Sequence, residues 1–208
     1  MRYEGRMVIN PAEMDALGAY KLATSLLVPR PIAWVGSRAA DGTDNLAPFS
    51  YFMGVSTRPP SIAISVARGR KGVLKDTASN ILETEVFTVS MVSHRLVTPM
   101  VQTSLPEGPE VSEFRANGLE AVEGDLVNAP RPAEALAAME CRLVHAHDMQ
   151  STHLLVGEVL RYHIDDAILR TDERGHAVVD LAGLDPIRRL GSYDYCRVTD
   201  VFEAKAQK

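Results

Sequence analysis

Hydrophobic positions in this chain recur mostly with a period of two. Ser61 to Val66 alternates strictly, with Ile62, Ile64 and Val66 on one face and Ser61, Ala63 and Ser65 on the other. That spacing predicts a strand whose second face is small enough for something to lie against it. Val86 to Val92 alternates in the same way, placing Phe87, Val89 and Met91 together. Ile32 to Ser37 and Val178 to Leu181 read as short apolar strands, and Leu154 to Ile164 as a longer one containing Gly157. Ala133 to His147 is mixed: the early Ala, Glu, Leu and Met favour helix or loop to about Ala137, and Cys141 to His147 alternates as a strand.

Helices are announced by caps rather than by long periodic runs. Asn10-Pro11-Ala12-Glu13 predicts a helix start, with the helix running to about Leu27 and ending before Pro29-Arg30-Pro31. Asp76 or Thr77 is placed to cap a helix reaching Thr84, and Ser93 one reaching Gln102. Ser112 to Asn117 predicts a short helix closed by Gly118, and Asp185 to Leu190 another. Many short strands with few, peripheral helices predict a mainly β (α+β) fold, a barrel or sandwich with helical additions. No repeat, low-complexity tract or linker interrupts the chain, so residues 1–208 read as one domain with its core at about 20–195.

Pro29 to Met53 predicts two strands around a turn at Asp41-Gly42, the second running from Leu46 to Val55. Pro48 cannot donate to a ladder, so Asn45 to Phe49 is predicted to leave it. Such a backbone frees N–H and C=O groups for the polar edge of a flat ring, which Pro48 and Phe49 can face. The plainer reading is an edge strand with a proline bulge. Lys75-Asp76-Thr77 opens a predicted helix, where free N–H groups and the dipole attract phosphate. Lys75 adds a full charge and Thr77 a hydroxyl, with Arg68, Arg70 and Lys71 upstream; a capped surface helix with solvated basic residues is the alternative. Trp34 reads equally as a strand core residue.

Composition narrows the class. The 208 residues are 46% hydrophobic and 24% charged, enough for a substantial core. A net charge of -5 with no basic face argues against nucleic acid. Met1 to Arg6 has no apolar signal region, and no apolar run approaches the roughly 18 residues of a membrane helix, so a cytoplasmic, non-membrane protein is expected. Cys141 and Cys196 lie far apart and read as reduced thiols. His145 and His147 share a strand face, with His153 following, but no carboxylate has matching spacing, so no metal is expected. His153 reads as a pocket residue or a surface histidine. No Gly-x-Gly-x-x-Gly, Gly-x-Ser-x-Gly or P-loop is present, and Glu203 to Lys208 reads as a frayed tail.

Several segments, in this order, resemble the flavin reductase-like family of FMN-binding split barrels. They are Pro29-Arg30-Pro31-Ile32-Ala33, Asn45 to Phe52, Val55-Ser56 before Pro59-Pro60, Lys75-Asp76-Thr77 with Asn80-Ile81-Leu82, Gly157-Glu158-Val159, and Arg189-Leu190-Gly191 with Tyr193. The resemblance covers about Tyr20 to Tyr193 and implies a split β-barrel binding FMN at a homodimer interface. It implies that Asn45, Leu46, Ala47, Pro48, Phe49 and Ser50 line the isoalloxazine, that Ser65, Lys75 and Thr77 hold the phosphate and ribityl tail, and that Trp34 and Arg30 lie near the flavin rim. The family often has Gly-Gly where this chain has Gly191-Ser192. The implied chemistry is hydride transfer from NADH or NADPH to the flavin, possible without any catalytic side chain, with a flavin-dependent monooxygenase as the prospective recipient. An FMN electron carrier of the flavoredoxin kind and a non-catalytic binding barrel are the alternatives.

Overall fold

The computed structural model describes residues 2–3, 5–108 and 110–206. The predicted N-terminal helix is split. Pro11–Glu13 forms a 3₁₀ turn capped by Asn10, and α1 (Ala16–Leu26) begins afresh where the Asp15 carboxylate accepts the Gly18 N–H. Seven strands then build one antiparallel sheet. They are β1 (Ala33–Arg38), β2 (Asp44–Phe49), β3 (Phe52–Thr57), β4 (Pro60–Ala67), β5 (Val86–Met91), β6 (Ala137–Asp148) and β7 (Thr152–Ile164). Their spatial order is β2-β1-β5-β6-β7-β4-β3. Between β4 and β5 lies α2 (Asp76–Thr84); after β5 come α3 (Val97–Gln102) and α4 (Glu113–Ala116).

The sheet curls without closing. Its inner-face residues from both edges meet in one core: Phe49 of β2, Ile64 and Val66 of β4, Phe87 and Val89 of β5, Leu155 and Val159 of β7, with Ile81 of α2 as a plug. Burying aliphatic and aromatic side chains of this size stabilises by about 1.5–3 kcal/mol each. Gly157 lets β7 approach Phe87: a Cβ there would sit 2.5 Å from the ring.

Three expectations need correction. The strand predicted from Leu46 to Val55 is two strands that separate at Ser50-Tyr51, and Asn45 to Phe49 stays in register with β1 throughout. Pro48 is tolerated because β2 is an edge: the Leu46 N–H already points outward, and Pro48 two residues on occupies the same outward side. Asp185 to Leu190 is not a helix. A single turn, α5 (Leu181–Leu184), ends with Asp185 at φ 46, and β8 (Ile187–Arg189) pairs with β9 (Tyr195–Arg197). Pro186, just past that turn, cannot continue a helix. Ser93 caps nothing by its side chain; it precedes a 3₁₀ turn that leads into α3. The tail prediction falls partly on residues 207 and 208, outside the described residues.

A second core holds α3, α4 and the β8–β9 hairpin against the back of the sheet, through Ile32, Trp34, Leu46, Met100, Phe114 and Ile187. Arg30 fastens this region. Its guanidinium donates to the Thr24 and Leu27 carbonyls that end α1 (2.7 and 2.5 Å), to the Leu190 carbonyl (2.7 Å) and to Ser50 Oγ (3.3 Å).

Candidate functional site

Edge strand β2 and the N-terminus of α2 face each other across a cavity of about 410 Å³. This volume falls within the range of small-molecule sites, roughly 300–1,000 Å³. From β2 come Asn45, Ala47, Pro48 and Phe49; from α2 and the residue before it come Lys75, Asp76 and Thr77. Thr103 to Glu107, following α3, and Glu113 of α4 complete the wall.

Buried hydrogen bonds fix the two sides to each other. The Asn45 amide donates to Ser37 Oγ (3.1 Å) and to Thr77 Oγ1 (2.9 Å), and the Asn80 amide donates to Ser37 Oγ (3.2 Å). All four residues are buried. Because Thr77 Oγ1 accepts here, its own hydrogen is free to donate elsewhere.

Lys75, rather than Asp76 or Thr77, occupies the cap position of α2, in extended backbone and without a side-chain cap. The backbone N–H groups of Asp76 and Thr77 have no partner among the described residues, and neither does the Lys75 ammonium in any ion pair. Free N–H groups at a nine-residue helix start, a lysine and a free hydroxyl make a phosphate cradle. The flat strip Ala47-Pro48-Phe49, with Leu74, makes an apolar face beside it. Anion donors and an apolar strip in one cavity fit a flavin mononucleotide. The Arg70 side chain, predicted nearby, lies outside the described residues.

Glu113 was not legible in sequence. Its carboxylate accepts the Leu46 N–H (3.0 Å) across 67 residues of chain, and it lines the cavity while itself buried. Burial pushes the Glu113 carboxyl above the ordinary glutamate range; the Leu46 N–H pulls it down, and the charges of Asp76 and Glu107 push it up again. Thr103 and Ser104 were likewise missed: neither sits in a motif, and the fold alone brings them to the cavity.

Five predicted site residues are elsewhere, among them Ser50, which follows β2 and lines a neighbouring, smaller cavity. Trp34 does not reach a rim: it is 0% exposed in the second core, and its indole donates to Thr103 Oγ1 (2.9 Å). Its strand is covered on that side by α3, which alternation could not reveal. The Leu46 side chain is buried in the same core, and only its N–H points towards the site, through Glu113. Ser65 lies on β4 opposite Leu154 and is not part of the cavity wall. Arg30 spends four of its donor contacts as the clamp described above, reaching the site only through Ser50.

His145 and His147 share a face as predicted, with rings stacked at 6.5 Å and exposed. His153 is buried, its Nδ1 has no partner among the described residues, and it borders none of the cavities described here. Asp125, Glu140 and His163 bring possible metal ligands within 4.8 Å of one another. Glu140, however, is already committed. Its oxygens accept the backbone N–H groups of Asp125, Leu126 and Val127 and sit 2.5 Å from His163 Nε2. Burial opposes ionisation of Glu140, but His163 and those three N–H groups outweigh it and hold the carboxyl below its usual range.

A split antiparallel barrel with a phosphate cradle beside a flat apolar strip defines a nucleotide-cofactor-binding class. The comparisons narrow it. Residues 25–177 match the flavin reductase like domain. A protein of Aquifex aeolicus is 40% identical over 185 residues, covering 89% of this chain and 92% of its own. The crystal structure of nitrilotriacetate monooxygenase component B from Bacillus cereus superposes with a TM-score of 0.89 at 33% identity, over 97% of this chain and 100% of that one. That of Pseudomonas fluorescens 2-nitrobenzoate 2-nitroreductase gives 0.85 at 30% identity, over 97% and 96%. The chain belongs to the flavin reductase-like family.

Proposed function

We propose that this protein binds FMN in the β2–α2 cavity and reduces it with NADH or NADPH. The observation that carries the reading is the convergence of the Lys75–Thr77 cradle and the Ala47–Phe49 strip on one cavity. FMN, when bound, would supply the two-electron redox chemistry. The chain's own residues bind and orient. Lys75, the Thr77 hydroxyl and the free N–H groups of α2 hold the phosphate, and Asn45 holds Thr77. Ala47, Pro48 and Phe49 offer the ring a flat face and exclude water from it. Glu113 holds a proton to higher pH than an ordinary glutamate, and Oε1, the oxygen not bonded to Leu46, is the one left to carry it.

Further features of the proposal rest on the family and its relatives. The bacterial neighbour named as a monooxygenase component supports a flavin-dependent monooxygenase as recipient of the reduced flavin. Exposed apolar side chains on β3 and β6, Met53 (61% exposed), Val55 and Val144, support a homodimer. No helix among the described residues is long and apolar enough to cross a membrane, which suits the proposed cytoplasmic location.

The test is an absorbance spectrum of purified protein with and without FMN, followed by anaerobic NADH and NADPH. Flavin bands that bleach with either nucleotide support the reductase and identify its donor. Bands that stay oxidised with both sink it and leave an FMN carrier with another donor.

A further inference from the structure

A second, smaller cavity of about 170 Å³ adjoins the first and shares Pro48, Phe49 and Ser104 with it. Its polar wall is one-sided. Arg189, at the end of β8, places its guanidinium there, with 2 of its N–H groups directed to the Tyr195 hydroxyl and the Ser192 carbonyl. A guanidinium carries five donors, so others remain uncommitted. Tyr195 accepts from Arg189, so its own hydrogen is free to donate. Ser50 accepts from Arg30 Nε (3.3 Å) and is in the same position. Three donor groups therefore converge: Arg189, Tyr195 and Ser50.

No carboxylate lines this cavity, and among the described residues neither Arg189 nor Arg30 behind it makes an ion pair. Arg30 is buried and Arg189 half-buried, so two cations stand near one concavity without an anion. Other arginines, among them Arg38, Arg161 and Arg197, do meet carboxylates, at Asp44 and Glu123, Asp125 and Asp185 respectively. Apart from Ser104, whose hydroxyl is committed to the Val101 carbonyl, the remaining wall is apolar, formed by Ile32, Met100 and the faces of Pro48 and Phe49. A planar oxyanion on a flat apolar body satisfies every surface at once, because an arginine fork and a carboxylate match in geometry. The volume is less than half that of the first cavity, so it suits one ring and its carboxylate, not a dinucleotide.

We propose that this cavity is a binding site for a small organic carboxylate, of about one aromatic ring, held by Arg189 beside the flavin. The position beside a flavin rests on the function proposed above; the anion site itself does not. Benzoate is the probe and nitrobenzene its neutral counterpart. Both are titrated by calorimetry into FMN-free and FMN-loaded protein, with FMN and riboflavin affinities measured separately. Saturable benzoate binding to either form, absent for nitrobenzene and weakened by salt, is expected. Arg189→Gln should weaken benzoate by roughly 10- to 100-fold, the loss of a charge-assisted bond, with Arg189→Lys recovering part. Thermal melts establish that the variants fold, and the wild-type comparison of benzoate with nitrobenzene needs no variant. No saturable benzoate binding to either form, or equal binding of nitrobenzene, overturns the proposal. So does an Arg189→Gln variant that loses preference for FMN over riboflavin, since that assigns the arginine to the cofactor phosphate. Benzoate binding in a protein that never binds FMN would sustain the anion site while defeating the flavin reading.

Discussion

Asn45→Ala removes the amide that ties β2 to α2. The substitution deletes two buried hydrogen bonds, to Ser37 Oγ and Thr77 Oγ1. Ser37 keeps the Asn80 amide, but Thr77 Oγ1 is left without a donor. Each lost bond is worth about 1 kcal/mol and a stranded buried acceptor adds to this, so the total is about 2–3 kcal/mol. For a domain of this size that lowers Tm by about 4–12 °C. Thr77 also loses its orientation, so under the proposed function its hydroxyl no longer points reliably at the phosphate. FMN affinity should fall about tenfold, equivalent to about 1.4 kcal/mol, while riboflavin, lacking the phosphate, should bind nearly as before. Thermal unfolding and quenching of flavin fluorescence read the two effects. A cycle with Thr77→Val should give a coupling energy of about 1 kcal/mol. A Tm within 1 °C of wild type and a coupling near zero (about 0 kcal/mol) would refute the network as the link between strand and helix.

Four other outcomes follow from the packing and the charges. Gly157→Ala would place a Cβ 2.5 Å from Phe87, which is fully buried and cannot yield; urea unfolding should register about 2–3 kcal/mol of destabilisation. Glu140→Gln should cost about 3 kcal/mol near neutral pH, because one carboxylate serves three backbone donors and His163. The Glu140 carboxyl is lowered on folding, so its contribution is present above the ordinary glutamate range and lost as pH falls through the folded value; wild type and variant should converge in acid. Glu113 has the opposite sign: raised on folding, it stabilises fully only below the ordinary range and loses that contribution as pH rises, so Glu113→Gln should gain on wild type between acid and neutral pH in the same unfolding assay. Finally, fluorescence of Trp34, the single tryptophan, should be blue-shifted and resist iodide, and Trp34→Phe should cost about 1 kcal/mol for the bond to Thr103; ready quenching would contradict its place in the core.

What the sequence disclosed was local. Alternation located β4 and β5, because a residue's face follows from its parity. Lys75-Asp76-Thr77 disclosed a helix start, though not that Lys75 would be the cap. The misreadings came from contacts distant in the chain. Pro48 suggested a departure from the ladder because nothing local says which strand is an edge. Trp34 and Ser65 were assigned to a ligand whose position depends on how α3 and β4 pack. Glu113 went unnoticed because a lone acid on a four-residue helix acquires meaning only when it meets Leu46. Ser192, where the resemblance expects glycine, adopts φ 52, so the backbone keeps the turn a glycine would favour.

The reach of Arg30 bears on how the protein matures. Its bond to Leu190 joins residues 160 positions apart. Synthesis at 5–20 residues per second separates them by about 8–32 s. Throughout that interval the end of α1 and the Ser50 corner exist without the hairpin that completes them, and a buried cation waits for its last carbonyl. The sheet can curl around its own core before then, but the smaller cavity cannot, since Arg189 and Tyr195 both belong to the late segment. Every residue lining the first cavity has therefore been synthesised by Glu113, whereas the neighbouring concavity cannot be complete until β8 and β9 have emerged.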